Sequence, residues 1–402
     1  MKGYWVLVPL FLVLTLFLNN NDRLIVGQIG SVIGIGIDKE NGKYKVTIQM
    51  ANAGVNNAKS RSQLSPITTY DATSNTISNA YQSITNQVAK KLDTSHLQTI
   101  LLSEDLLKDE GITPTIDFLI RLNKSSIYTP VAIVKNTNAT DLMKTYTPIQ
   151  NYPAMDIRSL LLNIADKNSA SVFTSPNNLL TNLFKEGTDI YLPELKVIGD
   201  TKEGSKIENI QTTSPSTKIV LNGYTIFHDA KPVNSLSIQE GNTYFLTQGN
   251  VKEGILEVNC TNDKTAVLTI ENVKSEKKLL KDNSLKLTVQ IDGILKENNC
   301  AYISQIDRKA KKVLEKRFEK ELKKNVDQLV KKSTESNSDF LGLGNTYYIK
   351  YPKRYKKVET NLLKKMKVKT SIKVRIQKLG NVNYDPKNIK NEDSINEKNN
   401  SN

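Results

Sequence analysis

The chain has two histidines and two cysteines, so imidazole or thiolate chemistry would have to run through His96, His228, Cys260 or Cys300. His96 opens a strand-like run, "HLQTILLS", and His228 closes another, "YTIFHDAKP". A lone histidine at a strand end is expected to serve structure rather than a triad or a metal. The cysteines sit in "EVNCTN" and "ENNCAY", without the paired spacing of a zinc site. Outside the cytoplasm one bridge between them is open; two unrelated thiols is the default. No GxSxG elbow, Walker loop or HExxH occurs. Gly34-x-Gly36 lacks the third glycine of a dinucleotide loop and runs into a strand, so it marks a close backbone approach. Carboxylate pairs cannot be judged from sequence spacing. No catalytic residue, metal ligand or cofactor is assigned.

The remaining chemistry is electrostatic. Of a formal net charge of +15, residues 302–379 carry 23 Lys+Arg against 8 Asp+Glu, a difference of +15, so the rest of the chain sums to zero. Lys311, Lys312, Arg317, Lys323, Lys324, Lys353 and Arg354 are the candidate contacts for an anionic surface. No nucleic-acid reading motif accompanies them. An anionic membrane face suits them better, each cation near such a surface being worth about 1 kcal/mol; the alternative is a solvated face with no partner.

The elements that position these residues follow from periodicity. "SVIGIGID" and "KYKVTIQMA" are strand runs joined across Asn41-Gly42, a hairpin signal. Residues 74–92 read as a helix, 96–103 as a strand, then come two short helices, the second with Pro114 near its start. "YTPVAIVKN" reads as a strand, "ATDLMKTY" as a helix, "DIRSLLLNIADK" and "NLLTNLFKEG" as helices, and "YLPELKVIGD" as a return to the first sheet. Polar residues 201–218 suggest a domain boundary. Residues 219–249 carry two strand runs about a turn, followed by three more strands to about residue 297. The longest helix signal runs from Ala301 to Ser333 with an apolar stripe through Ile303, Ile306, Ala310, Val313, Leu314, Phe318, Leu322, Val326, Leu329 and Val330. Then come "DFLGLGNTYYIKYPKRYKK", a loop with helical character, and a half-buried basic strand over 366–380.

The fold class is therefore α+β: mixed sheets with packed helices in three domains after an N-terminal apolar segment. The expected divisions are 1–21 (signal or anchor), 22–205, a small mostly β domain at 206–290, 291–380 with the basic helix and closing strand, and a disordered tail at 381–402. After Lys2 the N-terminus runs fifteen apolar or near-neutral residues, "YWVLVPLFLVLTLFL", short of the ~20 that span a bilayer comfortably. No small-residue cleavage pattern follows it. Export or membrane attachment is expected, with Tyr4 and Trp5 at one interface and Leu18 ending the anchor.

Four blocks in order resemble the Ger(x)C family, the C subunits of nutrient germinant receptors of endospore-forming bacteria. They are "GIGIDKENGKYKVTIQ" (34–49), "HLQTILLSEDLLKDEGITPTIDFLIR" (96–121), "NGYTIFHDAKPVNSLSIQEGNTYFLTQG" (222–249) and "SDFLGLGNTYYIKYPKRYKK" (338–357). The resemblance implies a non-enzymatic protein at the outer face of the spore inner membrane, working with a polytopic A subunit and a transporter-like B subunit. Family members usually begin their mature chain with a lipidated Cys followed by Trp-Asp and a basic residue. Here Asp22 and Arg23 keep that register, while Asn20 stands at the Cys position and Asn21 at the Trp, so no thiol is available for the lipid. The family brings no catalytic residues. An extracytoplasmic solute-binding module and a cell-envelope hydrolase are the rival readings.

Overall fold

The computed structural model describes residues 28–52, 65–122, 128–150, 152–167, 174–249, 251–261, 264–300 and 308–378. The expectations for Tyr4, Trp5, Leu18, Asn20, Ile303, Ile306 and the tail at 381–402 lie outside them.

The first hairpin forms as its sequence dictates. Strands β1 (Ile29–Glu40) and β2 (Lys43–Ala51) pair antiparallel, turning on Asn41 (φ 50) and Gly42 (φ 74), the two positive φ values that an Asn-Gly turn accepts. Next come β3 (Ile67–Ser74), α1 (Ile77–Thr85), β4 (Lys91–Asp93), β5 (Thr99–Ser103), α2 (Glu104–Glu110), α3 (Thr113–Arg121), β6 (Val131–Lys135) and α4 (Ala139–Lys144). The expected helix over 74–92 thus stops at Thr85. Residues 91–93 pair in parallel with the start of β1 instead, a tertiary contact that overrides the local helical period.

Gly36 is where α4 meets the sheet: a Cβ there would lie 3.1 Å from Ala139 Cβ and 3.3 Å from its backbone carbon. Two residues on, the buried Asp38 carboxylate accepts from Ala139 N (2.7 Å), Thr140 N (3.0 Å) and Thr140 Oγ1 (2.7 Å). It thereby satisfies the free N–H groups at the start of α4. Burial pushes its pKa up against those same donors. "GIGID" is thus a docking surface for a helix, with no room for a phosphate.

After α5 (Pro153–Lys167) and α6 (Pro176–Leu183), β7 (Tyr191–Ile198) joins the sheet. The expected polar boundary holds α7 (Thr201–Gly204) and a 3-10 turn, Ile207–Ile210, and the chain then returns as β8 (Lys218–His228) and β9 (Lys231–Leu236). The sheet runs β3-β2-β1-β5-β6-β7-β8-β9, with β4 beside the start of β1; the pairs among β1, β5, β6 and β7 and the β1–β4 pair are parallel, and the other pairs are antiparallel. It therefore continues across residue 205. Helix α8 (Ile238–Gln248) replaces the end of the expected strand pair. Ser237 and Glu240 form a reciprocal capping box at its start, and Gly249 (φ 79) closes it in the left-handed region.

A second sheet follows in the order β10 (Gly254–Thr261), β11 (Lys264–Leu279), β12 (Leu285–Asn298), β13 (Val368–Lys378). The first three are antiparallel, and β13 lies parallel to β12 after a crossover through α9 (Arg308–Glu335), α10 (Leu343–Lys350) and α11 (Pro352–Lys365). Leu314, Phe318, Leu322, Val326 and Leu329 of α9 pack on the inward residues of the sheet, among them Leu287, Val289, Val374 and Ile376. Val313, expected in that stripe, is 52% exposed. Cys260 and Cys300 form a disulfide with Cα atoms 5.7 Å apart, which corrects the default of two unrelated thiols. The register explains it: β10 ends beside Lys264 and β12 ends beside Ala266, so both cysteines flank the same end of β11.

Candidate functional site

A polar network joins the two sheets through the loop before β7, the end of β8 and the turn after α9. His228 closes β8, and Asp229 and Ala230 make its hairpin turn with φ 49 and 64. Its Nδ1 lies 3.2 Å from Asp189 Oδ2, and its Nε2 lies 3.0 Å from the Asn337 side-chain amide. Asp189 Oδ2 also accepts from Asp339 N (2.6 Å), and Ser338 donates its hydroxyl to the Phe227 carbonyl. The Asp339 carboxylate accepts from Leu343 N (2.7 Å) and Gly344 N (2.5 Å), which begin α10. Asn345 N donates to Gly187 O (2.7 Å) and Asn345 Nδ2 to Glu186 O (2.7 Å). Gly187 takes φ 69, and a Cβ on it would fall 2.3 Å from Asn345 N, so the two loops touch backbone to backbone.

Burial drives the electrostatics. It pushes Asp339 up to about 7 against its two N–H donors, and it raises Asp189 as well. Lys277 occupies an inward position of β11, in register with Leu287. Burial pulls its pKa down to about 8, partly offset by Asp339. Its ammonium donates to Gln248 Oε1 (3.0 Å) and to the Leu341 carbonyl (2.5 Å). Beside it, Tyr191, Tyr224, Tyr244 and Phe245 pack edge to face at 5.1–6.2 Å between ring centroids, and Phe340 lies tilted 5.8 Å from Tyr244. Two clefts of about 380 and 340 Å³ flank the junction.

Chemically this is a brace. Both nitrogens of His228 are engaged by Asp189 and Asn337, and no hydroxyl or thiol among the described residues bonds to it. No group of three or more His, Cys, Asp or Glu among the described residues converges as a metal site. His96 carries its ring elsewhere, beside the start of β5; its carbonyl accepts from Gln98 Nε2 (2.6 Å). Sequence reasoning found His228 but missed Asp189, Asp339 and Lys277. The inward parity of Val273, Ser275, Lys277 and Leu279 was the available signal for the last.

The basic residues divide into tied and free. Lys312, Arg317, Lys323 and Lys324 of α9 are exposed, as are Lys353 and Arg354 of α11, and Lys311 is half-buried. Arg317 donates to the Cys260 carbonyl (2.5 Å), Lys323 pairs with Asp327 (2.6 Å) and Lys324 with Glu321 (3.6 Å). Arg354 stacks 5.3 Å from the centre of the Tyr351 ring. Lys312 and Lys353 have no charge partner among the described residues. Two further acids of α9 turn onto the sheet: Glu315 accepts from Ile376 N (2.9 Å) and Glu319 from Val374 N (3.1 Å), capping the outer edge of β13. Cations therefore dominate the outer face of the helix.

Among the described residues the fold is a nine-stranded mixed sheet followed by a four-stranded sheet crossed by one basic helix. Residues 22–197 match the spore germination protein N-terminal domain, and residues 222–380 match the spore germination B3/GerAC-like C-terminal domain; the chain belongs to this family. It is similar to spore germination protein KC of Bacillus subtilis (strain 168), 25% identical over 349 residues, covering 84% of this chain and 85% of that one. Putative spore germination protein YfkR of the same organism is 24% identical over 330 residues, covering 80% and 82%. The crystal structure of the GerBC protein shares the fold, with a TM-score of 0.51 and 18% identity over 86% of this chain and 97% of that one.

Proposed function

We propose that the chain is the C subunit of a nutrient germinant receptor, non-enzymatic, tethered by its N-terminal apolar segment at the outer face of the spore inner membrane. In this reading it works with a polytopic A subunit and a transporter-like B subunit. The observation that carries it is the pair of family matches running in order from residue 22 to 380. No helix among the described residues is long and apolar enough to cross a membrane, so the reading assigns attachment to residues 4–18. Deleting the gene is expected to abolish germination with the cognate nutrient and to lower the partner subunits. Unchanged germination with unchanged partners would overturn the role. The intact mass of membrane-extracted protein is expected to include Met1 to Leu18 with no lipid added.

The basic face of α9 and α11 supports apposition to an anionic lipid surface. The purified chain is expected to bind vesicles of anionic phospholipid, with affinity falling at least tenfold between low and physiological salt. Replacing Lys312 and Lys353 with glutamate should weaken that binding further; salt-independent binding would exclude the electrostatic reading. A solute-binding role is the second reading, favoured by the polar cleft of about 380 Å³ at the junction.

A further inference from the structure

The two edges of the second sheet are treated differently. The edge of β13 is closed by Glu315 and Glu319, whose carboxylates occupy the N–H groups of Ile376 and Val374, and by the Asp327–Thr370 contact. At the other edge, β10 pairs only with β11 among the described strands. Beside that open edge lies a groove of about 530 Å³ between β10, α8 and α9. Its floor includes Leu246, Val258, Ile270, Phe318 and Leu322, all buried. At the rim of the groove, Ile255 of the same strand is 70% exposed. Among the described residues, Arg317 covers the far end of this edge by donating to the Cys260 carbonyl. An edge unpaired over the rest of its length, with apolar ground beside it, is the geometry of strand addition, in which main-chain hydrogen bonds give affinity and alternate side chains give specificity.

The charge around the groove selects the partner. Its ionisable lining is Glu253, Glu257 and Glu321, with no Lys or Arg, in a chain whose formal charge is +15. Glu321 is shared with Lys324 at 3.6 Å, while Glu253 and Glu257 are exposed with no charge partner among the described residues. Natural sheets usually blunt such an edge with lysine, proline or a covering element; here Glu315 and Glu319 do so on β13, while on β10 Arg317 reaches only the terminal Cys260 carbonyl.

We propose that the β10 edge and its groove accept, as an added strand, an extended segment of a partner chain in which apolar residues alternate with basic ones. Eight residues, the length of β10, would span about 27 Å. The apolar side chains, every second residue, would face Phe318 and Leu322, and the basic residues would meet Glu253 and Glu257. The proposal rests on the receptor reading only for which chain supplies the segment.

The test uses the purified full chain and two synthetic peptides. One copies residues 367–378, "KVKTSIKVRIQK", which has the required alternation; the other replaces each of its Lys and Arg with Glu. The basic peptide is expected to slow amide exchange across residues 254–261 at least tenfold, and the acidic one to leave it unchanged. Ile255→Asp, and separately Glu253→Lys with Glu257→Lys, should weaken binding of the basic peptide at least tenfold. All three positions are exposed, Glu253 just before β10 and the other two on it, and unchanged exchange in the first sheet verifies folding. Lack of protection at β10, protection at β13 instead, or equal binding of both peptides overturns the proposal. So does a self-associated chain whose β10 is already protected by a second copy. Because the isolated chain is measured, failure here leaves the receptor role standing, and loss of that role would leave the peptide result standing.

Discussion

Asp339→Ala is expected to lower the unfolding free energy by about 3–5 kcal/mol, measured by denaturant unfolding. The substitution strips the acceptor from Leu343 N and Gly344 N, and it leaves the buried Lys277 ammonium without the carboxylate that offsets its burial. It also alters how stability depends on pH. The folded chain raises the Asp339 pKa from 3.8 to about 7, so over that interval it holds a proton that the unfolded chain has released. The stability this group contributes is complete below its ordinary value and is lost as pH rises through about 7. The deficit of the alanine variant should therefore be larger near about pH 5 than near about pH 8. A variant as stable as its parent, or a deficit that grows with pH, would show that the turn after α9 is held by something else.

Removal of the Cys260–Cys300 bridge is the second large effect. The sequence separation is 40 residues, for which the chain-entropy account gives about 4 kcal/mol. The closed loop contains all of β11 and all of β12, so the loss falls on the second sheet and the helix packed upon it. Replacing both cysteines with serine is expected to lower the Tm of that part by roughly 10 °C, with little change in exchange protection of β1 and β2. A thermal transition that ignores both the substitution and added reductant would mean that the bridge contributes nothing to the folded chain.

What the sequence made legible depended on how locally each element is determined. The β1–β2 hairpin was readable because Asn41-Gly42 specifies the turn. The closing strand was readable too, since Val374 and Ile376 alternate with Lys373, Arg375 and Gln377. Helix α8 was not, because Thr243, Tyr244, Phe245, Leu246 and Thr247 are all buried and leave no amphipathic period. Its capping box was the better signal. Val88 and Leu92 continue the spacing of α1 by coincidence, and the pairing of β4 with β1 decides otherwise. The junction was legible only as the single residue His228, since its partners lie 39 and 109 positions away. No local pattern reports a contact that the folding of two sheets creates. The same holds for the disulfide, which depends on β10 and β12 flanking one end of β11.

The carboxylates of Glu315 and Glu319 on β13 limit what can be built from the second sheet. A sheet with two open edges can recruit neighbours at both, and identical molecules crowded on a surface then grow into fibres. With β13 closed, backbone pairing through this sheet has a valence of one. Whatever joins β10 ends the chain of contacts there, so growth stops at a discrete complex.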